Sequence, residues 1–168
     1  TGTLNTLIGG LAGDALTTGD SNVALGYNAL SADTLGARSI AIGRDALAVQ
    51  NFTSGTNTFN VAVGDRAGTA VTTGIENTLI GGLAGDALTD ADYNVAIGYL
   101  ALSGDTLGSR SVAIGRSALQ VQNFTSATNA YNVAIGFQCG DSITTGIENT
   151  LIGGLAGDAL QDADYNVA

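Results

Sequence analysis

One stretch of the sequence recurs without change. Asn5-Thr6-Leu7-Ile8-Gly9-Gly10-Leu11-Ala12-Gly13-Asp14-Ala15-Leu16 recurs from Asn77 to Leu88 and again from Asn149 to Leu160, at the same interval each time. Such a chain is confined to architectures in which every copy makes the same local structure and neighbouring copies cover one another's apolar faces. Inside this long repeat lies a shorter unit, [Asn/Ser]-x-[Ala/Leu]-aliphatic-Gly. It begins at Asn5, Asn22, Ser39, Asn60, Asn77, Asn94, Ser111, Asn132 and Asn149, with a truncated tenth copy at Asn166. The spacings are 17, 17, 21 and 17, then the series starts again, so four rungs make one long repeat. Residues 1–168 read as one array: three copies of the long repeat, the first and last partial. The chain starts at Thr1 and stops inside a motif at Asn166-Val167-Ala168. It therefore reads as a fragment of a longer fibre.

Each rung opens with β periodicity. In Asn22-Val23-Ala24-Leu25-Gly26, Val23 and Leu25 point one way, and Asn22, Ala24 and Gly26 the other. The same holds for Ser39-Ile40-Ala41-Ile42-Gly43. A short strand follows from this pattern. A helix does not, because Gly or Asn interrupts every few residues and no 3.6-residue stripe survives. A second apolar piece, such as Ala29-Leu30 or Ala46-Leu47, reads as another short strand, followed by a polar turn. A 17-residue rung cannot bury a face alone. Stacked at about 4.8 Å, ten rungs would form a rod of roughly 50 Å.

Two apolar ladders are expected in the core of that stack, Val23–Ile40–Val61 and Leu25–Ile42–Val63, at about 1.5–3 kcal/mol per buried side chain. The leading Asn residues are expected to stack as an amide ladder. The opposite strand face carries Ala and Gly: Ala24 with Gly26, Ala41 with Gly43, and Ala62 with Gly64. Something must pack close there, either the far wall of a thin roll or neighbouring chains around an axis. The fold class is all-β, a parallel β-solenoid of tandem 17–21-residue rungs.

Composition narrows the function. Gly makes up 25 of 168 residues, roughly twice the usual share of about 7%, yet does not recur every third position, which excludes collagen. Apolar residues reach 45%, too many for a disordered chain. The net charge of −10 opposes nucleic-acid binding. No apolar run approaches the length needed to span a bilayer, so no membrane insertion is expected of this segment. There is no His, and Cys139 stands where Ala67 stands one repeat earlier, so it reads as a small buried residue. Neither a Ser-His nor a Cys-His pair can form, and a lone Cys makes no zinc site. No catalytic residue and no cofactor are assigned, and the chain is not read as an enzyme.

Three groups of residues remain as candidates. Asp14, Asp86 and Asp158 end the Gly-Gly-Leu-Ala-Gly-Asp run. They are turn residues first and weak calcium candidates second, since hard cations need several carboxylates or carbonyls together. The 21-residue rungs add a loop from Val49 to Phe59 and another from Val121 to Tyr131. There Asn51, Phe52 and Thr53, with Asn123, Phe124 and Thr125, combine an aromatic ring with amide and hydroxyl groups, a chemistry that suits a receptor glycan. The competing reading is that each Phe pins its loop to the roll. Arg38 with Asp33, and Arg110 with Asp105, lie around one turn and are expected to pair between rungs or chains, at about 0–1 kcal/mol per exposed pair.

Asn22-Val23-Ala24-Leu25-Gly26-Tyr27-Asn28-Ala29-Leu30, Asn94 to Leu102, and the Thr72-Thr73-Gly74 and Thr144-Thr145-Gly146 turns resemble the repeats of phage tail-fibre proteins. Ser39-Ile40-Ala41-Ile42-Gly43 and Ser111-Val112-Ala113-Ile114-Gly115 are similar to the head repeats of trimeric autotransporter (YadA-type) adhesins. The rungs here are longer than the usual autotransporter rung. The resemblance runs through all ten rungs. It implies a left-handed parallel β-roll with three chains wound about one axis, and a role in attachment. The expected function is a structural or adhesive segment of a homotrimeric phage tail fibre or virion appendage, whose partners are itself and a cell-surface receptor. The alternatives are the head of a bacterial trimeric adhesin at the cell surface and a monomeric solenoid binding calcium or ice.

Overall fold

Three-residue runs of β-branched residues around a central Ala or Leu, each stopped by Gly, become the strands. The structure, a computed structural model, describes residues 2–168. In chain order the strands are β1 Thr6–Ile8, β2 Val23–Leu25, β3 Gly36–Ala37, β4 Ile40–Ile42, β5 Thr56–Asn57, β6 Val61–Val63 and β7 Thr78–Ile80. They continue as β8 Val95–Ile97, β9 Gly108–Ser109, β10 Val112–Ile114, β11 Thr128–Asn129, β12 Val133–Ile135 and β13 Thr150–Ile152. No helix forms among the described residues.

Nine of these strands make one parallel sheet in the order β1-β2-β4-β6-β7-β8-β10-β12-β13. The register follows the motif: Val23 pairs Ile40, Ala24 pairs Ala41 and Leu25 pairs Ile42. Equivalent positions therefore form continuous rows along the stack. The tenth rung is present as a single bridge between Thr150 and Val167. The chain is a β-solenoid of tandem rungs, as the repeat spacing requires.

The rows fix which residues are allowed. Gly26 closes its strand at φ +139, and a Cβ there would stand 2.5 Å from the carbonyl oxygen of Gly43 in the next rung. A side chain cannot enter that column, so the strand must end in Gly.

The strands alternate as expected, but the expected core face is reversed. Ala24, Ala41, Ala62, Ala96, Ala113 and Ala134 are fully buried. The ladders Val23–Ile40–Val61 and Leu25–Ile42–Val63 point outward, with Leu25 41% and Ile40 36% exposed. The roll is too thin to hold an aliphatic side chain from each strand. Its large core groups come mainly from the opposite wall, where Leu30, Leu47, Leu102 and Leu119 are fully buried. Of the two readings of the Ala/Gly face, the opposite wall of a thin roll is the one observed.

The second apolar piece is also a turn and not a strand. Leu30 and Leu47 sit at φ 52 and φ 49, left-handed values that bend the chain inward. Two-residue pairs form only beside the long rungs, β3 with β5 and β9 with β11.

The leading Asn residues tie rung to rung, chiefly through backbone. The side-chain oxygen of Asn22 accepts from the Ser39 amide at 2.8 Å, and its Nδ2 donates to the Gly36 carbonyl at 2.9 Å. Direct amide-to-amide bonds, such as Asn77 Nδ2 to Asn60 Oδ1 at 3.3 Å, supplement these bonds. Where Ser39 replaces Asn, Gln50 fills the vacated space. Its Nε2 donates to Asp33 Oδ2 at 2.6 Å and Ser39 Oγ at 2.9 Å, and its Oε1 accepts from Asn60 Nδ2 at 2.8 Å. Gln122, Asp105, Ser111 and Asn132 repeat that network one long repeat later.

Candidate functional site

The outward face of the nine-stranded sheet carries two parallel rows of side chains, the first and third residues of each strand. They are Val, Ile and Leu in nearly every rung, with Thr at the first position of β1, β7 and β13. Several are exposed by a third or more, among them Leu25, Ile40, Ile80, Ile135 and Ile152. A soluble surface would place Thr, Lys or Glu there. An aliphatic stripe of this length is larger than the apolar patches that monomeric proteins usually expose.

Each edge of the stripe is bordered by a row of larger groups. Of the nine Phe and Tyr residues, Phe52 and Phe124 are buried and the other seven are exposed. All seven stand in two columns. Phe59, Tyr93, Tyr131 and Tyr165 precede the residue that opens a rung, and Tyr27, Tyr99 and Phe137 follow the strand-ending Gly. Four of the five Arg residues share these columns: Arg38 and Arg110 in the first, Arg44 and Arg116 in the second. The two residue types stack. Arg110 lies 4.5 Å from the Tyr93 ring centre and 6.0 Å from that of Tyr131. Arg116 lies 5.9 Å from Tyr99 and 5.7 Å from Phe137. Arg44 instead binds Asp65 of the next rung at 2.8 Å.

The first column has a backbone oddity. All ten of its residues, from Leu4 to Tyr165, adopt left-handed φ between 50° and 66°. Gly, Asn or Asp would be easiest there, since other residues lose roughly 1–2 kcal/mol in that region. The sequence instead places Arg, Phe, Glu and Tyr in it. Left-handed non-Gly residues recur elsewhere in each rung as well, as at Leu30, Leu83 and Leu100.

The acidic candidates do not converge. Asp14, Asp86 and Asp158 lie four rungs apart, about 19 Å at the spacing of stacked strands. No group of three His, Cys, Asp or Glu residues close enough to hold a metal exists among the described residues. Asp86 is half-buried, and that burial pushes its carboxyl above the usual aspartate range. Other Asp residues serve the turns. Asp90 Oδ1 accepts from the hydroxyls of Thr72 and Thr73 at 2.5 and 2.7 Å, and Asp92 Oδ1 accepts from the Ile75 amide at 2.8 Å.

The expected pairing of Arg38 with Asp33 and of Arg110 with Asp105 does not occur. Asp33 and Asp105 are fully buried. Asp33 Oδ1 accepts from the amides of Gly36 at 2.9 Å and Phe52 at 3.2 Å, while Arg38 lies over the Phe59 ring. In the long-rung loops Phe52 and Phe124 point into the roll, 7% and 6% exposed, and pin the loops there. Asn51, Thr53, Asn123 and Thr125 are exposed, so the tips offer amides and hydroxyls without a ring. The Asn51 side chain accepts from the Thr34 hydroxyl at 3.0 Å, as Asn123 does from Thr106. Cys139 is fully buried and donates to the Leu151 carbonyl at 3.2 Å, and burial pushes its thiol up.

The surface has no pocket among the described residues, and no helix there is long and apolar enough to cross a membrane. Comparison with known proteins finds no matching family model, no matching curated protein and no matching solved structure.

The bordered stripe was partly legible in the sequence. The Val/Ile alternation was plain, but it reads equally well as core. The sharper signal was the confinement of the exposed aromatic and Arg residues to two columns of the repeat, which alignment of the rungs on their Asn would have shown.

Proposed function

We propose that this chain is a structural and adhesive segment of a three-chain fibre, of the kind a phage tail or other virion appendage uses to attach to a host surface. The observation that carries this reading is the outward aliphatic stripe. It runs the length of the sheet, and it lies on a regular, pairable surface and not in a pocket. Each strand has three residues and is about 10 Å long, and the face reaches at most about 20 Å when the flanking columns are included. Stacked over about 40 Å, it presents on the order of 800 Å² per copy, the size of a standard interface. Three such faces around an axis enclose a prism with an inner radius of about 6 Å by the same strand spacing, which aliphatic side chains can fill. A rod then needs no separate core: each roll is closed on Ala and Leu, and the assembly is closed on Val and Ile.

With that face covered, the polar tips of the long rungs remain on the outside, recurring once in every long repeat. They are the surface offered to a receptor. Small-angle X-ray scattering tests the arrangement. A rod cross-section accommodating three rolls at the length of one array supports it; the cross-section of one roll removes the fibre reading.

A further inference from the structure

Identical copies arranged around an axis parallel to the stack meet through unlike edges: the column before the rung head of one copy faces the column after the strand Gly of the next. Building on the self-assembled fibre proposed above, we infer that these two columns form the seam between copies, offset by one rung, and that charge and aromatic matching across the seam sets the alignment of the chains.

The offset follows from the order of residues in the two columns. From rung two onward the first column reads Ser21, Arg38, Phe59, Glu76, Tyr93, Arg110 and Tyr131. The second reads Tyr27, Arg44, Asp65, Gly82, Tyr99, Arg116 and Phe137, and then Gly154. With equal rungs opposed, Arg38 meets Arg44 and Arg110 meets Arg116, two like-charge encounters per seam. Shifting the second column so that each rung meets the preceding one brings Glu76 against Asp65. Shifting it the other way removes every like-charge encounter. Arg38 then meets Asp65, Tyr93 meets Arg116 and Arg110 meets Phe137, combining an ion pair with two cation–π contacts. Phe59 and Tyr131 face Gly82 and Gly154, where no side chain stands.

The same groups already show these preferences within one chain. Arg110 and Arg116 stack on rings above and below them, and Asp65 already binds an Arg. The offset requires the two columns flanking the strand to differ in height by one rung. That is about 4.8 Å over the roughly 20 Å between the two columns, an inclination of roughly 14° to the plane of the rung.

Disulfide trapping in the full chain tests the seam. In a Cys139→Ala background, the pair Arg38→Cys with Asp65→Cys reports the proposed offset, and Tyr93→Cys with Arg116→Cys reports it independently. Arg38→Cys with Arg44→Cys reports equal rungs, and Tyr27→Cys with Arg38→Cys the opposite shift. Within one chain each pair sits on opposite sides of the strand and its flanking residues, up to roughly 20 Å apart, too far for a disulfide. Oxidation is expected to yield covalent multimers with the first two pairs and none with the others. A parent protein that is multimeric in solution but is trapped only by one of the other pairs, or by none, overturns the seam and leaves self-assembly standing. A parent protein with the mass of one chain overturns both.

Discussion

Leu79 occupies the space that a side chain on Gly85 would need. A Cβ built on Gly85 would lie 2.8 Å from Leu79 Cδ2 and equally close to Leu88 Cδ1. The same exchange runs through the array. Rungs with Leu at the strand centre, Leu7, Leu79 and Leu151, have Gly at the facing turn, and rungs with Ala24, Ala41, Ala96 or Ala113 have Leu there. Where Ala62 and Gly68 coincide, Leu47 and Leu79 of the adjoining rungs fill the gap, 3.1 and 2.6 Å from where a Gly68 Cβ would stand.

Gly85→Ala is therefore expected to destabilise by about 1–3 kcal/mol through overpacking, and Leu79→Ala by about 2–5 kcal/mol through the cavity it leaves. Leu79→Ala with Gly85→Leu moves the Leu to the wall it occupies in rung two, where Leu30 holds a left-handed φ of 52, and leaves Leu88, in place of Asp33, as the neighbour that must shift. The double variant is expected to be more stable than the sum of the single changes predicts. Urea denaturation of the four proteins measures this coupling. Strict additivity would show that the two positions do not share space.

The buried network around Asp33 is directional. Its two oxygens accept from Gly36, Phe52 and Gln50, and the Gln50 oxygen is already taken by Asn60. Asp33→Asn would place an amide donor against the Gln50 donor, so shape alone cannot rescue it. A loss of about 1–3 kcal/mol is expected for Asp33→Asn and for Asp33→Ala alike. Hydrogen exchange should show the loop from Val49 to Phe59 losing protection first. A near-neutral Asn variant would contradict the assigned bonds.

Acid weakens the turns through Asp90. The hydroxyls of Thr72 and Thr73 hold its carboxyl below the usual aspartate range. A group whose folded value is lowered contributes stability above its unfolded value, near pH 4, and that contribution is lost as pH falls through the folded value. Asp162 is lowered by Thr144 and Thr145 in the same way. Thermal unfolding temperature is expected to fall below about pH 4. Asp90→Asn with Asp162→Asn should flatten that fall. An unchanged pH profile in the double variant would contradict the role given to these hydroxyl bonds.

Cys139 is expected to resist thiol reagents until the roll opens, because it is buried and its thiol is held protonated. Cys139→Ala restores the residue found at position 67 and should cost about 1 kcal/mol or less. Rapid labelling of the native protein would contradict the burial.

The solenoid, its rungs and its register were legible because the repeat by itself aligns Val23 with Ile40 and Ala24 with Ala41. The polarity of the strand was not. Alternation separates two faces without saying which is inside, and Val and Ile ordinarily go inside. What decides it is the thinness of a 17-residue rung, whose interior accepts Ala from the strand because Leu30 and Leu47 arrive from the other wall. The tandem of Leu79 with Gly85 carried that information in the sequence, as a volume exchange within one rung. The burial of Asp33 was hidden for a related reason: its partner Gln50 lies one full rung further along the chain, and a turn Asp beside Arg38 suggests an ion pair.

The outward aliphatic stripe as an interface between copies is tested most directly by the native mass of the chain in light scattering at micromolar concentration, together with Ile97→Lys/Ile114→Lys. The parent is expected at the mass of three chains and the variant at the mass of one, with an unchanged β-sheet circular dichroism spectrum. A parent at the mass of a single chain would contradict the account, because the stripe would then face water along its whole length.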